Sequence, residues 1–309
     1  MEPKAVRLAA VPPYDFHLTA GLFARYSTQV ADYYVDGTYR RVLTIDELSF
    51  LVEAKSIGNV RMPAVELRSL APPSFKLDMW ARDQMKWILA LDYDLSPLYS
   101  LMAAQPETRA LKEALFGFRP PRCPSMFEAL VNAITEQQIS LAAALTIRER
   151  MARRFGAIVS FNGREYLAFP RPEALACAEG EEIVSLGLGG HKARAIRIVA
   201  DLVADGRLDL DSYRTLPVEQ AIDDLTRIKG IGPWTVQYML CRGAGRYDSV
   251  PLNDKALMAG MRKWFGAERV KSVSDIGDIL ATFGRFAGYL AFYAIISYAL
   301  DRRPSHRQL

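Results

Sequence analysis

Residues 225–235 read Leu225-Thr226-Arg227-Ile228-Lys229-Gly230-Ile231-Gly232-Pro233-Trp234-Thr235. The pattern predicts that a helix over residues 218–228 ends here and that two glycines, one residue apart, form a tight turn. Glycine permits a positive φ and brings no side chain to hold a ligand away from the backbone. Proline is common in the first turn of a helix, where its missing N–H costs nothing. The stretch therefore predicts two helices joined by a short hairpin.

The start of the second helix carries unpaired amides and the positive end of the helix dipole, which together suit an anion such as phosphate. Lys229 adds a positive charge beside it. An ordinary helix–turn–helix corner is the alternative, and a Gly-x-Gly-Pro string alone would favour it. The full stretch, however, resembles the helix-hairpin-helix motif of DNA-binding proteins. Lys229, Gly230 and Gly232 are therefore predicted to contact DNA.

An acidic residue follows downstream, where residues 250–257 read Val250-Pro251-Leu252-Asn253-Asp254-Lys255-Ala256-Leu257. A hairpin followed by an aspartate after an apolar-proline segment resembles the helix-hairpin-helix GPD superfamily of DNA glycosylases. Asp254 matches the essential aspartate of that family. The alternative is that Asp254 only caps the helix that begins near Lys255. The two roles are compatible, because helix amides stabilise a carboxylate in its ionised form.

The reaction that the resemblance implies needs such an anion. Cleavage of an N-glycosidic bond builds positive charge on the sugar, as in other oxocarbenium-like glycoside hydrolyses. A fixed Asp254 carboxylate would stabilise that charge and orient or deprotonate a water molecule. Family members that also nick the strand carry a lysine after the position of Pro233, whereas this chain has Trp234. The expectation is a monofunctional hydrolase without AP lyase activity.

The resemblance narrows to the alkylpurine branch of the superfamily, whose substrates are bases such as 3-methyladenine and 7-methylguanine. Trp234, Tyr238 and Leu22 match positions that line the base pocket in that branch. Trp234 and Tyr238 share a helix face, and aromatic faces attract cationic alkylpurines by roughly 0.5–2 kcal/mol. The alternative for Tyr238 is ordinary core packing. Leu22 stands in place of an aromatic residue and Lys255 in place of a tyrosine, so these two positions bear on the substrate range.

Residues 134–140 resemble the family segment that fills the gap left by a flipped base. Gln138 falls at the gap-filling position, with Gln137 beside it, and both are predicted to contact DNA. A polar loop between helices is the alternative. The resemblance also implies a cation, Na⁺ or Mg²⁺, held by the main-chain carbonyls of Thr226, Ile228 and Ile231. No cofactor is expected to be required.

The hairpin belongs to an α+β chain of two parts. Residues 1–95 are predicted to form a small antiparallel α/β module, which resembles the TATA-binding-protein-like module of the same family. Its strands include a hairpin turn at Asp36-Gly37, and helices are predicted over residues 16–26 and 77–90. Residues 96–309 are predicted to be an all-helical glycosylase region that contains the active-site cleft, with the helix-hairpin-helix over about 218–241. Ser125 and Glu128 are predicted to form a capping box.

Composition excludes several classes of protein. The 309 residues carry a net charge of +4 and three cysteines, which are too few for a four-thiolate iron–sulfur cluster. The longest uncharged stretch, residues 286–300, is too short to span a bilayer of roughly 30 Å. We expect a monomeric cytoplasmic, nucleoid-associated protein that binds damaged double-stranded DNA. The alternatives are a glycosylase of the same fold for an oxidised or deaminated base and a non-catalytic damage-binding protein.

Overall fold

The computed structural model describes residues 5–22, 28–70, 75–248 and 250–301. An antiparallel sheet with two helices forms the N-terminal part, and helices form most of the remainder. This is the predicted α+β class. Among the described helices, none combines the length and the apolar character needed to cross a membrane.

The N-terminal sheet has five antiparallel strands in the order β1-β5-β4-β3-β2. Its strands are β1 (Ala5–Ala9), β2 (Asp32–Val35), β3 (Thr38–Ile45), β4 (Leu48–Ser56) and β5 (Ala64–Ser69). Asp36 and Gly37, both with positive φ, connect β2 to β3 and confirm the predicted two-residue turn. This turn type matches the right-handed twist of the strands it joins.

Two helices, α1 (Phe16–Gly21) and α2 (Phe75–Ile88), accompany the sheet. Residues from both helices, among them Phe16 and Met85, pack with sheet residues such as Phe50 into one apolar core. The helix predicted over 16–26 corresponds to α1, although residues 23–27 lie outside the described part. The helix predicted over 77–90 begins and ends two residues earlier.

The helical part contains twelve α-helices among the described residues, and two of them flank a small strand pair. The helices are α3 (Ser96–Ala104), α4 (Pro106–Ala114), α5 (Met126–Glu136), α6 (Leu141–Phe155), α7 (Pro172–Ala176), α8 (Gly180–Ser185), α9 (Gly190–Ala204), α10 (Val218–Leu225), α11 (Pro233–Ala244), α12 (Lys255–Phe265), α13 (Val273–Ala281) and α14 (Ala287–Asp301). Two short 3-10 helices lie at Leu210–Arg214 and Gly284–Phe286.

These helices form two apolar cores. The first helical core joins α5, α6, α9, α10 and α11, with fully buried residues such as Leu130 and Val236. The second helical core joins α3 and α4 to α12, α13 and α14, with Leu98 and Leu290 at its centre. Helix α5 packs in the first helical core, α12 and α14 pack in the second, and α11 contributes to both, through Val236 and Cys241. These four helices therefore bound the space between the cores.

The prediction that residues 96–309 are entirely helical is wrong in one place. Strands β6 (Ile158–Phe161) and β7 (Arg164–Leu167) form an antiparallel hairpin within this region. Asn162 and Gly163 connect them, with φ of 49° and 73°. Asn-Gly is a favoured pair for such a turn, so the signal was present, although each strand has only four residues.

The predicted capping box at the start of α5 is half correct. The Ser125 side chain accepts a hydrogen bond from the Glu128 backbone N–H at 3.1 Å. The Glu128 carboxylate instead accepts two bonds from buried Arg41 of β3, which also pairs with Asp32. A buried arginine needs such partners, since an unpaired buried charge costs several kcal/mol. Glu128 therefore ties the N-terminal sheet to α5.

Candidate active site

The hairpin lies between α10 and α11, as predicted. Gly230 has φ of +100°, and a Cβ there would lie 2.9 Å from the Cβ of Ala195 on α9. Both the backbone conformation and the close approach require glycine. The backbone conformation and the packing against α9 therefore explain why residue 230 is glycine, without any ligand.

Gly232, two residues later, is different. It is the N-cap residue of α11 with φ of −110°, which any residue can adopt, and no side chain caps the helix. A Cβ at this position would meet no atom within 4 Å. Nothing in the described protein therefore requires glycine here. The Thr235 N–H bonds the Gly232 carbonyl at 3.0 Å, whereas the N–H groups of Gly232 and Trp234, beside exposed Lys229, donate to no backbone carbonyl among the described turns and loops. An open helix N-terminus next to a lysine suits an external anion.

Asp254 is the N-cap residue of α12, as the more conservative of the two predictions required. Its Oδ1 accepts hydrogen bonds from the backbone N–H groups of Ala256 at 2.7 Å and Leu257 at 3.1 Å. Its Oδ2 accepts a bond from the indole Nε1–H of Trp234 at 3.2 Å. Three donors from two helices hold the carboxylate in one orientation. It lies at the N-terminus of α12, where the helix dipole favours a negative charge.

A cavity of about 450 Å³ opens beside Asp254, between the two helical cores. Trp234, Tyr238, Leu22 and Asp254 all line it, so the structure brings the four predicted pocket and catalytic residues together. The rings of Trp234 and Tyr238 have centroids 5.5 Å apart and an interplanar angle of 40°. A fixed anion therefore lies at the wall of a partly aromatic cavity.

The Tyr238 hydroxyl has a specific partner in this cavity. It donates a hydrogen bond to Glu136 Oε1 at 2.9 Å. Burial, and secondarily the nearby Glu136 charge, raises the pKa of Tyr238 far above its ordinary value. The phenol is thus protonated and acts as a hydrogen-bond donor at any physiological pH.

Helix α5 has a polar face that was not predicted from the sequence. Glu128, Asn132 and Glu136 follow one another at intervals of four residues, share one helix face and line the same cavity. On α11, Trp234, Tyr238 and Arg242 show the same spacing and also line it. The sequence did contain this signal, because Glu128 and Asn132 interrupt a mostly apolar helix and are themselves buried.

The turn between α5 and α6 holds the predicted gap-filling residue. Gln138 is exposed and has φ of 57°, a left-handed conformation that is unusual for glutamine. Strained residues of this kind cluster at functional sites. The placement is compatible with insertion of Gln138 into DNA, because no described residue covers its side chain.

Gln137, by contrast, is directed into the protein. Its Nε2 donates hydrogen bonds to the Gly230 carbonyl and to the Thr235 hydroxyl, both at 2.9 Å. The amide nitrogen has two hydrogens, and both are used. This arrangement disagrees with a direct DNA contact from the Gln137 amide nitrogen and makes Gln137 a brace between the turn and the hairpin.

Lys192 of α9 holds the same turn from the other side. Its ammonium donates to the carbonyls of Thr135 and Gln137, which are among the last carbonyls of α5 and lack helical partners. Burial lowers the pKa of Lys192. The hairpin, the turn and the start of α9 therefore form one connected unit.

The carbonyls proposed for a cation lie in the hairpin turn. The Ile228 carbonyl accepts the Ile231 N–H at 3.0 Å, whereas those of Thr226 and Ile231 accept no backbone N–H among the described turns and loops. Carbonyl oxygens are suitable ligands for hard cations. No cluster of three or more His, Cys, Asp or Glu residues that would hold a metal occurs in the described ranges.

Comparison with known proteins gives a consistent result. A model of the HhH-GPD superfamily of base excision DNA repair proteins matches residues 131–283. A DNA-3-methyladenine glycosylase of Bacillus subtilis is 26% identical over 284 residues, which cover 91% of this chain and 92% of that protein.

Solved structures of similar fold include two glycosylases. The 3-methyladenine DNA glycosylase of Archaeoglobus fulgidus superposes with a TM-score of 0.85 at 25% identity, covering 96% of this chain and 99% of that one. A Schizosaccharomyces pombe 3-methyladenine DNA glycosylase, solved in complex with abasic DNA, has a TM-score of 0.57 at 23% identity and covers 67% of this chain and 97% of that one.

Proposed function

The chain belongs to the HhH-GPD superfamily of base excision DNA repair proteins, and on that premise we propose that it is a monofunctional DNA glycosylase. It excises alkylated purines of the 3-methyladenine and 7-methylguanine type from double-stranded DNA. The observation that carries the proposal is the Asp254 carboxylate, held by two α12 amides and the Trp234 indole at the wall of an aromatic cavity. The similarity to glycosylases named for 3-methyladenine supports the substrate class.

The positions of the residues around the cavity assign each of them a role in the reaction. A damaged base rotated out of the duplex enters the cavity, where it stacks against Trp234 and Tyr238. As the N-glycosidic bond breaks, positive charge develops on the sugar, and the fixed carboxylate of Asp254 stabilises it without reorganisation. Asp254 also orients the attacking water. A cationic alkylpurine leaves readily, so the mechanism needs no general acid.

The lyase reaction is not expected. It requires an amine that forms a Schiff base with the sugar, and the described residues that line the cavity include no lysine. Trp234 occupies the position that the resemblance gives to such a lysine. The product is therefore an abasic site in an intact strand.

The hairpin binds the phosphate backbone through the open start of α11, with Lys229 adjacent. Gln138 fills the space that the base leaves. The carbonyls of Thr226, Ile228 and Ile231 would hold a Na⁺ or Mg²⁺ ion, whose positive charge would attract a DNA phosphate. No other cofactor is required. The protein acts as a monomer on chromosomal DNA in the cytoplasm.

The test is base release from defined duplexes that contain 3-methyladenine, 7-methylguanine, 8-oxoguanine, hypoxanthine or uracil. We expect release of the alkylated purines, strands that break only after alkali treatment, and no covalent complex on borohydride reduction. Release of only an oxidised or deaminated base would overturn the substrate class. Binding without release of any base would overturn the enzymatic function, and borohydride trapping would overturn the monofunctional mechanism.

A further inference from the structure

Two hydrogen-bond acceptors on the cavity face of α5 have no donor in the part of the chain that the structure describes. Glu136 Oε1 accepts from the Tyr238 hydroxyl and pairs with the Arg148 guanidinium. The other oxygen, Oε2, has no donor among the described residues, although the Glu136 side chain is only 18% exposed. One turn earlier, Asn132 is 9% exposed, and its Oδ1 also lacks a partner within the described ranges.

For Asn132 Oδ1, which is buried, the missing donor carries a physical cost. A buried acceptor without a donor loses its hydration and receives no replacement. An ionised glutamate offers only acceptors, and so does the amide oxygen of asparagine. The two atoms lie one helical turn apart on one face. They form a surface that is complementary to a ligand edge with N–H groups.

The aromatic residues place a base against this surface. Because the Tyr238 hydroxyl lies 2.9 Å from Glu136 Oε1, a purine stacked on the Tyr238 ring has one edge beside the carboxylate. We propose that Asn132 and Glu136 accept the amino hydrogens of the flipped purine and thereby select purines that carry an amino group over purines that lack one. This inference rests on the proposed glycosylase function and adds the feature of the base that the cavity recognises.

The choice between bases follows from their edges. 3-Methyladenine presents a 6-amino group, and 7-methylguanine presents its N1–H and 2-amino group. Hypoxanthine has neither a 6-amino nor a 2-amino group, so its N1–H is the one donor on this edge and at least one of the two acceptors on α5 stays unpaired. Sites built to bond a substrate N–H reject analogues that lack it, since their own polar atoms are left unpaired. The cavity is therefore expected to disfavour deaminated purines.

Glu136→Gln tests the proposal sharply. Arg148 and the Tyr238 hydroxyl are both donors, so they hold the new amide oxygen where Oε1 is now, and the amide NH₂ takes the place of Oε2. An acceptor becomes a donor with almost no change in shape. We expect the ratio of single-turnover release rates, 7-methylguanine over hypoxanthine, to fall by about tenfold or more.

The matched control is Glu149→Gln on α6, where a partly exposed glutamate pairs with Arg153 outside the cavity. Its release ratio should equal that of the wild type. A Glu136→Gln ratio within about twofold of the wild-type value would overturn the proposal while leaving the glycosylase function intact. Absence of base release by the wild type would instead overturn the proposed function.

A second measurement does not depend on folding of the variant. Calorimetry should show that free 3-methyladenine binds the wild-type protein at least about tenfold more tightly than free 3-methylhypoxanthine. Both free bases are uncharged at neutral pH, so charge alone does not separate them. Equal affinity for the two bases would also overturn the proposal.

Discussion

The starts of α11 and α12 are built from the same backbone groups but are completed in opposite ways. At α11 the N-cap residue is Gly232, no side chain accepts from the first amides, and a Cβ would meet open space. At α12 the N-cap residue is Asp254, whose carboxylate accepts from two of those amides. One helix start is left open and the other is filled from within the chain.

This difference shows how one physical feature serves two purposes. Unpaired amides and the helix dipole attract negative charge at every helix N-terminus. The open start of α11 is available to an anion from outside, which we propose is a DNA phosphate. The filled start of α12 holds an anion of the protein itself, which we propose acts on the sugar. Trp234 links them, since it lies in the first turn of α11 and donates to Asp254.

Removing the charge at α12 should have the largest effect. Asp254→Asn keeps an effective N-cap and the shape of the side chain, but the sugar cation loses its carboxylate and the water loses its base. We expect single-turnover base release to fall by about 10²–10⁴-fold, with DNA affinity and the melting temperature little changed. Near-normal release by Asp254→Asn would show that Asp254 is only a capping residue.

Filling the open start of α11 should have the next largest effect. Gly232→Asp gives α11 the kind of internal anion that α12 has, and φ of −110° accommodates the new side chain without strain. The carboxylate should take the amides and repel phosphate, so we expect affinity for duplex DNA to fall about tenfold or more.

The control for Gly232→Asp is Gly180→Asp, at the exposed start of α8, where a Cβ would also meet open space. It adds the same charge away from the hairpin. Equal loss of DNA affinity in the two variants, measured by fluorescence anisotropy at one salt concentration, would mean that net charge rather than the open helix start determines binding.

The link between the two helix starts can be broken separately. Trp234→Phe keeps an aromatic face in the cavity and removes the N–H that Asp254 Oδ2 accepts. Because the lost hydrogen bond is to a charged group at a partly exposed site, we expect the rate of base release to fall about tenfold. Affinity for undamaged DNA should stay unchanged, and a parallel loss of both quantities would argue against a role through Asp254.

The smallest effect is expected at Lys229, which is exposed beside the open helix start. Lys229→Gln should weaken DNA binding modestly and reduce the slope of log K against log salt by roughly 0.9, the value for one phosphate contact. Lys271→Gln, an exposed lysine on the loop before α13, is the matched control and should leave the slope unchanged. An unchanged slope for Lys229→Gln would place the phosphate elsewhere.

Predictions from the sequence were most accurate for features that depend on a few neighbouring residues. The tight turn around Gly230, the helix start at Pro233 and the capping role of Asp254 each depend on a few consecutive positions, and the structure contains all three. The turn at Asp36-Gly37 is of the same kind. Local rules for φ and for helix ends account for these successes.

Prediction was poorer where distant residues compete for the same atoms. The Gln137 amide donates to the Gly230 carbonyl 93 positions away, a contact that the sequence did not show, while its DNA contact stays a prediction. Glu136 was not singled out, and its partner Tyr238 is 102 positions away. Glu128 was predicted to cap its own helix, but Arg41 of the N-terminal sheet takes its carboxylate. No local sequence pattern shows which distant residue will be the hydrogen-bond partner of a polar side chain.

The amino-acid sequence by itself determined where the helices of the hairpin end and begin, and which acid follows them, because these depend on backbone preferences of adjacent residues. Only the tertiary structure decided which helix start stays open, which polar atoms of the cavity are paired and which are left for a ligand. The physical reason is that a hydrogen bond requires donor and acceptor within about 3 Å. For groups far apart in the sequence, only the packing of the helices brings donor and acceptor within this distance.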